Sequence, residues 1–195
     1  MLWPEIDRVV KGANKTVRLA YKQVAWVEGE NITVIGKPYS VICAGSGRQV
    51  IHAGKGKSLT DAGSGNDKIV LHPSSNNNRA YGGLGNDEII GSNGHDYIYA
   101  SPKKVSRNAA DTDRVNGGGG NDHIYDYGGE GNRLLGGTGS DRLHSLGNAV
   151  SELHGGNGTD FLYSNGGKTG SGVIEKLFGE QGNDLVVGGP GNDEL

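Results

Sequence analysis

A recurring group of aspartates carries the chemistry this sequence offers: Asp67, Asp87, Asp96, Asp122, Asp141, Asp160 and Asp184. Each has a glycine two places before it, and all but Asp67 have another five places before it. Glycine lets a turn take up positive φ and lets backbone carbonyls crowd together without side-chain clash. The aspartate then adds a formal charge to those neutral oxygens, and a donor set made of oxygen alone suits a hard cation such as calcium. Cys43, the single cysteine, excludes an internal disulfide framework and a thiolate cluster for zinc.

The elements that must position these aspartates are set by a repeat. Gly117-Gly118-Gly119-Gly120-Asn121-Asp122-His123-Ile124-Tyr125 returns as a pattern at 136 and again at 155, close to two nonamers apart. A fixed period means stacked units rather than one globular core. Weakened nonamers begin at Ala44, Ala53 and Ala62, and only the last has aspartate at the sixth place; Gln49 and Ser58 cannot supply a carboxylate, so those units are expected to build coil without binding an ion. Strong repeats cover 62–70, 82–99, 117–125, 136–144, 155–163 and 179–195.

If each coil is two nonamers, one on each side of a flattened roll, the eighth places form two columns. One side holds Ile69, Ile89, Val115, Leu134, Leu153, Leu177 and Leu195; the other holds Ala80, Ile98, Ile124, Leu143, Leu162 and Val186. Segments 71–81, 99–114 and 164–176 break the period and are expected to loop out. Residues 1–40 differ: Val17–Tyr21, Val24–Val27 and Asn31–Ile35 are β-branched and aromatic runs that read as strands. They are expected to form an N-terminal cap or degenerate first coils, with the repeat roll spanning 41–195.

The nonamer glycine-glycine-x-glycine-x-aspartate-x-aliphatic-x resembles the RTX (hemolysin-type) calcium-binding nonapeptide repeats. The resemblance implies an all-β fold, a right-handed parallel β-roll or β-helix solenoid, with one Ca²⁺ between successive turns on the same side. The lower turn gives the carbonyls of places two and four and its aspartate; the upper gives those of places one and three and its own. Carried onto this chain, about five sites are implied, four of them along one side. Gly63, Gly65, Asp67, Gly82, Leu84 and Asp87 frame one. On the other side Gly94, Asp96, Gly117, Gly119 and Asp122 frame the first. Gly118, Gly120, Asp122, Gly136, Thr138 and Asp141 frame the next, followed by Gly137, Gly139, Asp141, Gly155, Asn157 and Asp160. Gly156, Gly158, Asp160, Gly179, Gln181 and Asp184 frame the last.

The implied role is a calcium-binding module that folds on binding Ca²⁺, in a bacterial secreted or cell-surface protein exported by type I secretion machinery. An accessory or substrate-binding domain of a secreted protease, lipase or polysaccharide epimerase is one alternative, and an adhesin or structural spacer that contacts a glycan or cell surface is another. The chain stops one residue short of a completed nonamer, which reads as a piece of something longer.

Other chemistry finds little support. Trp3-Pro4-Glu5-Ile6-Asp7-Arg8 is charged where a signal peptide would be apolar, no stretch is long and apolar enough to span a membrane, and a formal charge of −3 gives no nucleic-acid patch. Gly167-Lys168-Thr169 lacks the glycine of a phosphate loop, since Leu162 stands there. Asp111-Thr112-Asp113 begins like a helix-loop-helix calcium loop, but Val115 occupies its fifth place, so it reads as an insertion loop, the second reading being that Asp113 joins the ion at Asp87. The six histidines are scattered, and no catalytic constellation emerges. Tyr99, Tyr125 and Tyr163 share place nine, where mutual packing is favoured over a sugar-binding strip.

Overall fold

The computed structural model describes residues 6–102, 111–129, 131–147, 151–165, 174–189 and 193–195. Its strands are β1 (Arg8–Lys11), β2 (Lys15–Arg18), β3 (Val24–Glu28), β4 (Ile32–Ile35), β5 (Val41–Ala44), β6 (Gln49–His52) and β7 (Leu59–Asp61). Next come β8 (Lys68–Val70), β9 (Asn78–Tyr81), β10 (Glu88–Ile90), β11 (Asp96–Tyr99), β12 (Arg114–Gly119) and β13 (His123–Asp126). The last are β14 (Asn132–Thr138), β15 (Arg142–Ser145), β16 (Ser151–Gly158), β17 (Phe161–Ser164), β18 (Lys176–Gly182) and β19 (Leu185–Val187). No helix occurs among the described residues.

Odd-numbered strands form a ten-stranded sheet and even-numbered strands a nine-stranded sheet, each in chain order. Every pairing is parallel, so the chain winds as a two-sided β-solenoid with one strand per side in each coil. The sequence columns are the register. Ile69, Ile89, Val115, Leu134, Leu153 and Leu177 lie side by side in the even sheet. Ala80, Ile98, Ile124, Leu143, Leu162 and Val186 do so in the odd sheet. Apart from Val186, these side chains are at most 2% exposed. Leu195, next in the even column, is instead 69% exposed.

Strand content follows from this interior. Each nonamer gives its three strand residues one inward place between two outward ones, and that place takes an aliphatic side chain the two sheets share. Of the three apolar runs near the N-terminus, Val24–Val27 and Asn31–Ile35 fall on β3 and β4, while Val17–Tyr21 overlaps β2 only at Val17 and Arg18, and these strands pair into the same two sheets. There the coil advances 17 residues, as from Asn14 to Asn31, against 19 from Asp122 to Asp141. The early coils therefore lack the nonamer spacing while keeping its inward alternation, with Val10, Val27, Val17 and Val34 buried. Of the segment 71–81, only its first part is turn: β9 re-enters the odd sheet beside β11. Much of the other two irregular segments, including Gly167-Lys168-Thr169, lies outside the described residues.

Candidate metal centre

The sixth-place residues line two edges of the solenoid, where the chain passes from one sheet to the other. Their contacts repeat from coil to coil. Asp141 Oδ1 accepts the backbone N–H of Asp122 at 2.7 Å, Asp160 Oδ1 that of Asp141 at 2.8 Å, and Asp184 Oδ1 that of Asp160 at 2.9 Å. Asp122 Oδ1 accepts from Asp96 at 2.7 Å. On the opposite edge Asp67 accepts from Gln49, Asp87 from Asp67 and Asp113 from Asp87. One carboxylate oxygen of each aspartate thus ties its coil to the one before.

The other oxygen is left over. Oδ2 of Asp67, Asp87, Asp122, Asp141 and Asp160 is buried without a hydrogen-bond partner. Buried polar atoms in folded proteins are nearly always satisfied, so five equivalent exceptions call for a common cause. For Asp87, Asp122, Asp141 and Asp160 this Oδ2 lies against the first-place glycine of its own turn, whereas the first place before Asp67 is Ala62. A Cβ on Gly117 would lie 2.5 Å from Asp122 Oδ2 and 2.6 Å from the carbonyl oxygen of Gly136 in the next turn; at Gly136 both distances, to Asp141 Oδ2 and Gly155 O, are 2.5 Å. At Gly155 they are 2.6 Å to Asp160 Oδ2 and 2.8 Å to Gly179 O. A charged oxygen and a carbonyl oxygen from adjacent turns therefore converge on one gap that only glycine leaves open.

The second- and fourth-place carbonyls point up the stack: a Cβ on Gly137 would collide with Gly118 O, and one on Gly139 with Gly120 O. Gly137 also sits at φ +113°, so no other residue type fits there without strain. Turn residues stay in register, Gly118 opposite Gly137 opposite Gly156, and Thr138 opposite Asn157 opposite Gln181.

Electrostatics agree with the geometry. Burial pushes the Asp122 carboxyl up to about 8; the Asp96 N–H opposes the shift, and Asp141 and Asp96 add to it. Burial likewise raises Asp87 to about 8, Asp67 to about 7 and Asp141 to about 6, and it raises Asp160. Each of these five also lies in the repulsive field of at least one other carboxylate. A cation between turns would answer the orphaned oxygens and the repulsion together. No three His, Cys, Asp or Glu side chains converge among the described residues, so such an ion would rest on two aspartates and backbone carbonyls.

The two edges differ. At Asp96 the Oδ2 atom is already met by Ser92 N–H and Oγ–H, both at 2.8 Å. On the Asp67–Asp87 edge the later coils substitute side-chain hydrogen bonds: Asn132 Nδ2 donates to Asp126 Oδ2 at 2.6 Å, Ser145 Oγ to Ser151 Oγ at 2.9 Å, and Ser164 Oγ to Glu175 Oε1. The inward strand-end place that holds Ala62 or Ala100 earlier becomes Asp126, Ser145 and Ser164 there, and hydrogen-bonds the residue standing where aspartate would be. Gln49 plays a similar part, its amide donating to Gly29 O at 2.7 Å and Ser46 O at 3.0 Å.

The family model for the RTX calcium-binding nonapeptide repeat (4 copies) matches residues 72–101, 109–143, 126–148, 152–168 and 169–195, more than half of the chain. The chain belongs to the RTX calcium-binding repeat family. No match was found among curated proteins or solved structures. Calcium binding by a β-roll is thus both the family's property and the chemistry that this RTX chain's orphaned oxygens ask for.

Two features of the RTX roll were not read from sequence. Fifth-place asparagines form a ladder of their own, Asn121 Oδ1 accepting from Ser140 N–H at 2.8 Å and Asn66 Oδ1 from Asn86 N–H at 3.0 Å; the recurrent Gly-Asn-Asp was their signal. The polar pairs that include Asp126 and Ser145 were the other, since nothing in a nonamer marks its tenth place. The ninth-place rings stack from coil to coil: Tyr81 on Tyr99 at 4.8 Å, Tyr99 on Tyr125 at 5.3 Å, Tyr125 on His144 at 4.9 Å. Their faces cover one another, which is the mutual packing expected of that row. His123 stacks on His95, and His154 lies between Glu152 and Glu180 at 2.5 and 2.6 Å.

Proposed function

We propose that this roll is held together by Ca²⁺ ions between successive turns, and that it orders itself only when they bind. One ion would lie between the turns of Asp67 and Asp87, framed by Gly63, Gly65, Gly82 and Leu84. Three would lie along the other edge between Asp122, Asp141, Asp160 and Asp184, and a fourth there between Asp96 and Asp122. That last position is expected to be the weakest, because Ser92 competes for Asp96 Oδ2. The observation that carries this reading is the row of five buried Oδ2 atoms without partners.

A nonamer buries about one aliphatic side chain while nine backbone units must be ordered, so the interior alone is a thin source of cohesion. Metal-dependent folding follows, as in other small metal-binding domains. This suits a secreted or cell-surface module exported unfolded through type I machinery, with calcium meeting the chain outside. Far-UV circular dichroism of the 195-residue chain in EGTA and in millimolar calcium tests it. A large gain of β signal on adding calcium is expected; identical spectra would defeat the proposal.

A further inference from the structure

The Asp111 carboxylate is the one aspartate side chain among the described residues with both oxygens buried and unpartnered, and it is 3% exposed. It stands two places before Asp113, where the strong repeats have glycine. Apart from its own backbone N–H, the donors on neighbouring Ser101 and Asn132 are spent elsewhere. Asp113 receives Asp87 N–H at 2.9 Å and Ser101 Oγ–H at 3.0 Å. Asp126 receives Gly128 N–H at 3.2 Å and Asn132 Nδ2–H at 2.6 Å, with Ser101 Oγ 2.8 Å away. The second Asn132 amide hydrogen goes to Gly128 O at 2.5 Å, and Asn132 Oδ1 takes Asp113 N–H at 2.7 Å.

The space beside it is shaped by Gly129. A Cβ there would strike Asp111 Oδ1 and lie 2.6 Å from the carbonyl oxygen of Asp111 itself, so a charged and a neutral oxygen of one residue face the same gap. The field is acidic: Asp87, Asp113 and Asp126 each feel Asp111 as a repulsive neighbour.

We propose that Asp111 holds a further hard divalent cation, calcium by its all-oxygen surroundings, at an irregular site outside the nonamer pattern. The inference rests on the reading that orphaned carboxylate oxygens in this roll mark ions. The ion takes the Asp111 carboxylate in addition to the Asp111 carbonyl, which is the fourth-place carbonyl of this turn.

The test counts calcium bound per intact chain by native mass spectrometry, with calcium as the only added metal. Asp111→Asn is expected to bind one ion fewer than the wild type while giving the same circular dichroism in calcium. Asp111→Gly, which installs the residue the repeat has at this place, is the second variant and should also lose one. An unchanged count in either folded variant overturns the inference. A wild-type chain that binds no calcium overturns instead the reading on which it rests.

Discussion

Replacing Asp122 by asparagine should stabilise the calcium-free roll and destabilise the calcium-loaded one. The amide keeps the ladder contact: Asn132 already accepts the Asp113 N–H through its Oδ1 at 2.7 Å, and Asn78 that of Ser58 at 3.0 Å. What it removes is a carboxyl raised from 3.8 to about 8 by burial first and by Asp141 and Asp96 after. At pH 7 the folded chain holds that proton while the unfolded chain has released it, so folding must take a proton up. At about 1.36 kcal/mol per pH unit the cost is on the order of 4 kcal/mol, or roughly 2–4 after local relaxation, and asparagine does not incur it. In calcium, Asp122 faces two proposed ions, each adding about 2.7 kcal/mol at a hundredfold excess over its Kd, so losing both costs about 5 kcal/mol. Urea denaturation followed by circular dichroism, in EGTA and in calcium, reads both signs; where EGTA leaves the chain unfolded, sucrose supplies the folded reference. An equal loss of stability in both conditions would show Asp122 to be merely a hydrogen-bonding strut, and the reasoning would fail.

The same shifts set a pH dependence: stability without calcium is greatest below about pH 4 and falls as the pH rises through the raised values of about 6 to 8 at Asp141, Asp67, Asp87 and Asp122. Calcium must displace those protons, so titration calorimetry in two buffers of different ionisation heat should show proton release near pH 7 and tighter binding as the pH rises. Gly137→Ala, at φ +113° and against Gly118 O, should lower the melting point far more than Gly131→Ala, whose nearest neighbour would be 3.9 Å away. The second change should cost only about 1 kcal/mol. Leu143→Ala, in the fully buried odd column, should cost about 2–5 kcal/mol by denaturant melts while leaving the number of bound ions unchanged.

The solenoid was legible because a period of nine fixes which residue faces inward, and an inward aliphatic place needs no partner to be recognised. Ile89, Val115 and Leu134 fell into one column from glycine spacing alone. The first coils were less legible because at 17 residues they carry no nonamer, only alternation. The sixth-place aspartates were visible as charge after glycine, whereas the contacts that stand in for an ion were not. Ser92 against Asp96, or Ser145 against Ser151, joins residues whose types are ordinary in any turn. Their meaning appears only when one coil lies on another.

Those stand-ins on the Asn132–Ser151 edge have a mechanical consequence. On the proposed reading, drawing calcium away would slacken the C-terminal coils first along a single margin, while the opposite margin, stitched by side-chain hydrogen bonds, would let go later. Unravelling there should begin as an opening on one flank about a persistent hinge, and the coils should close again along the same seam when the ions return.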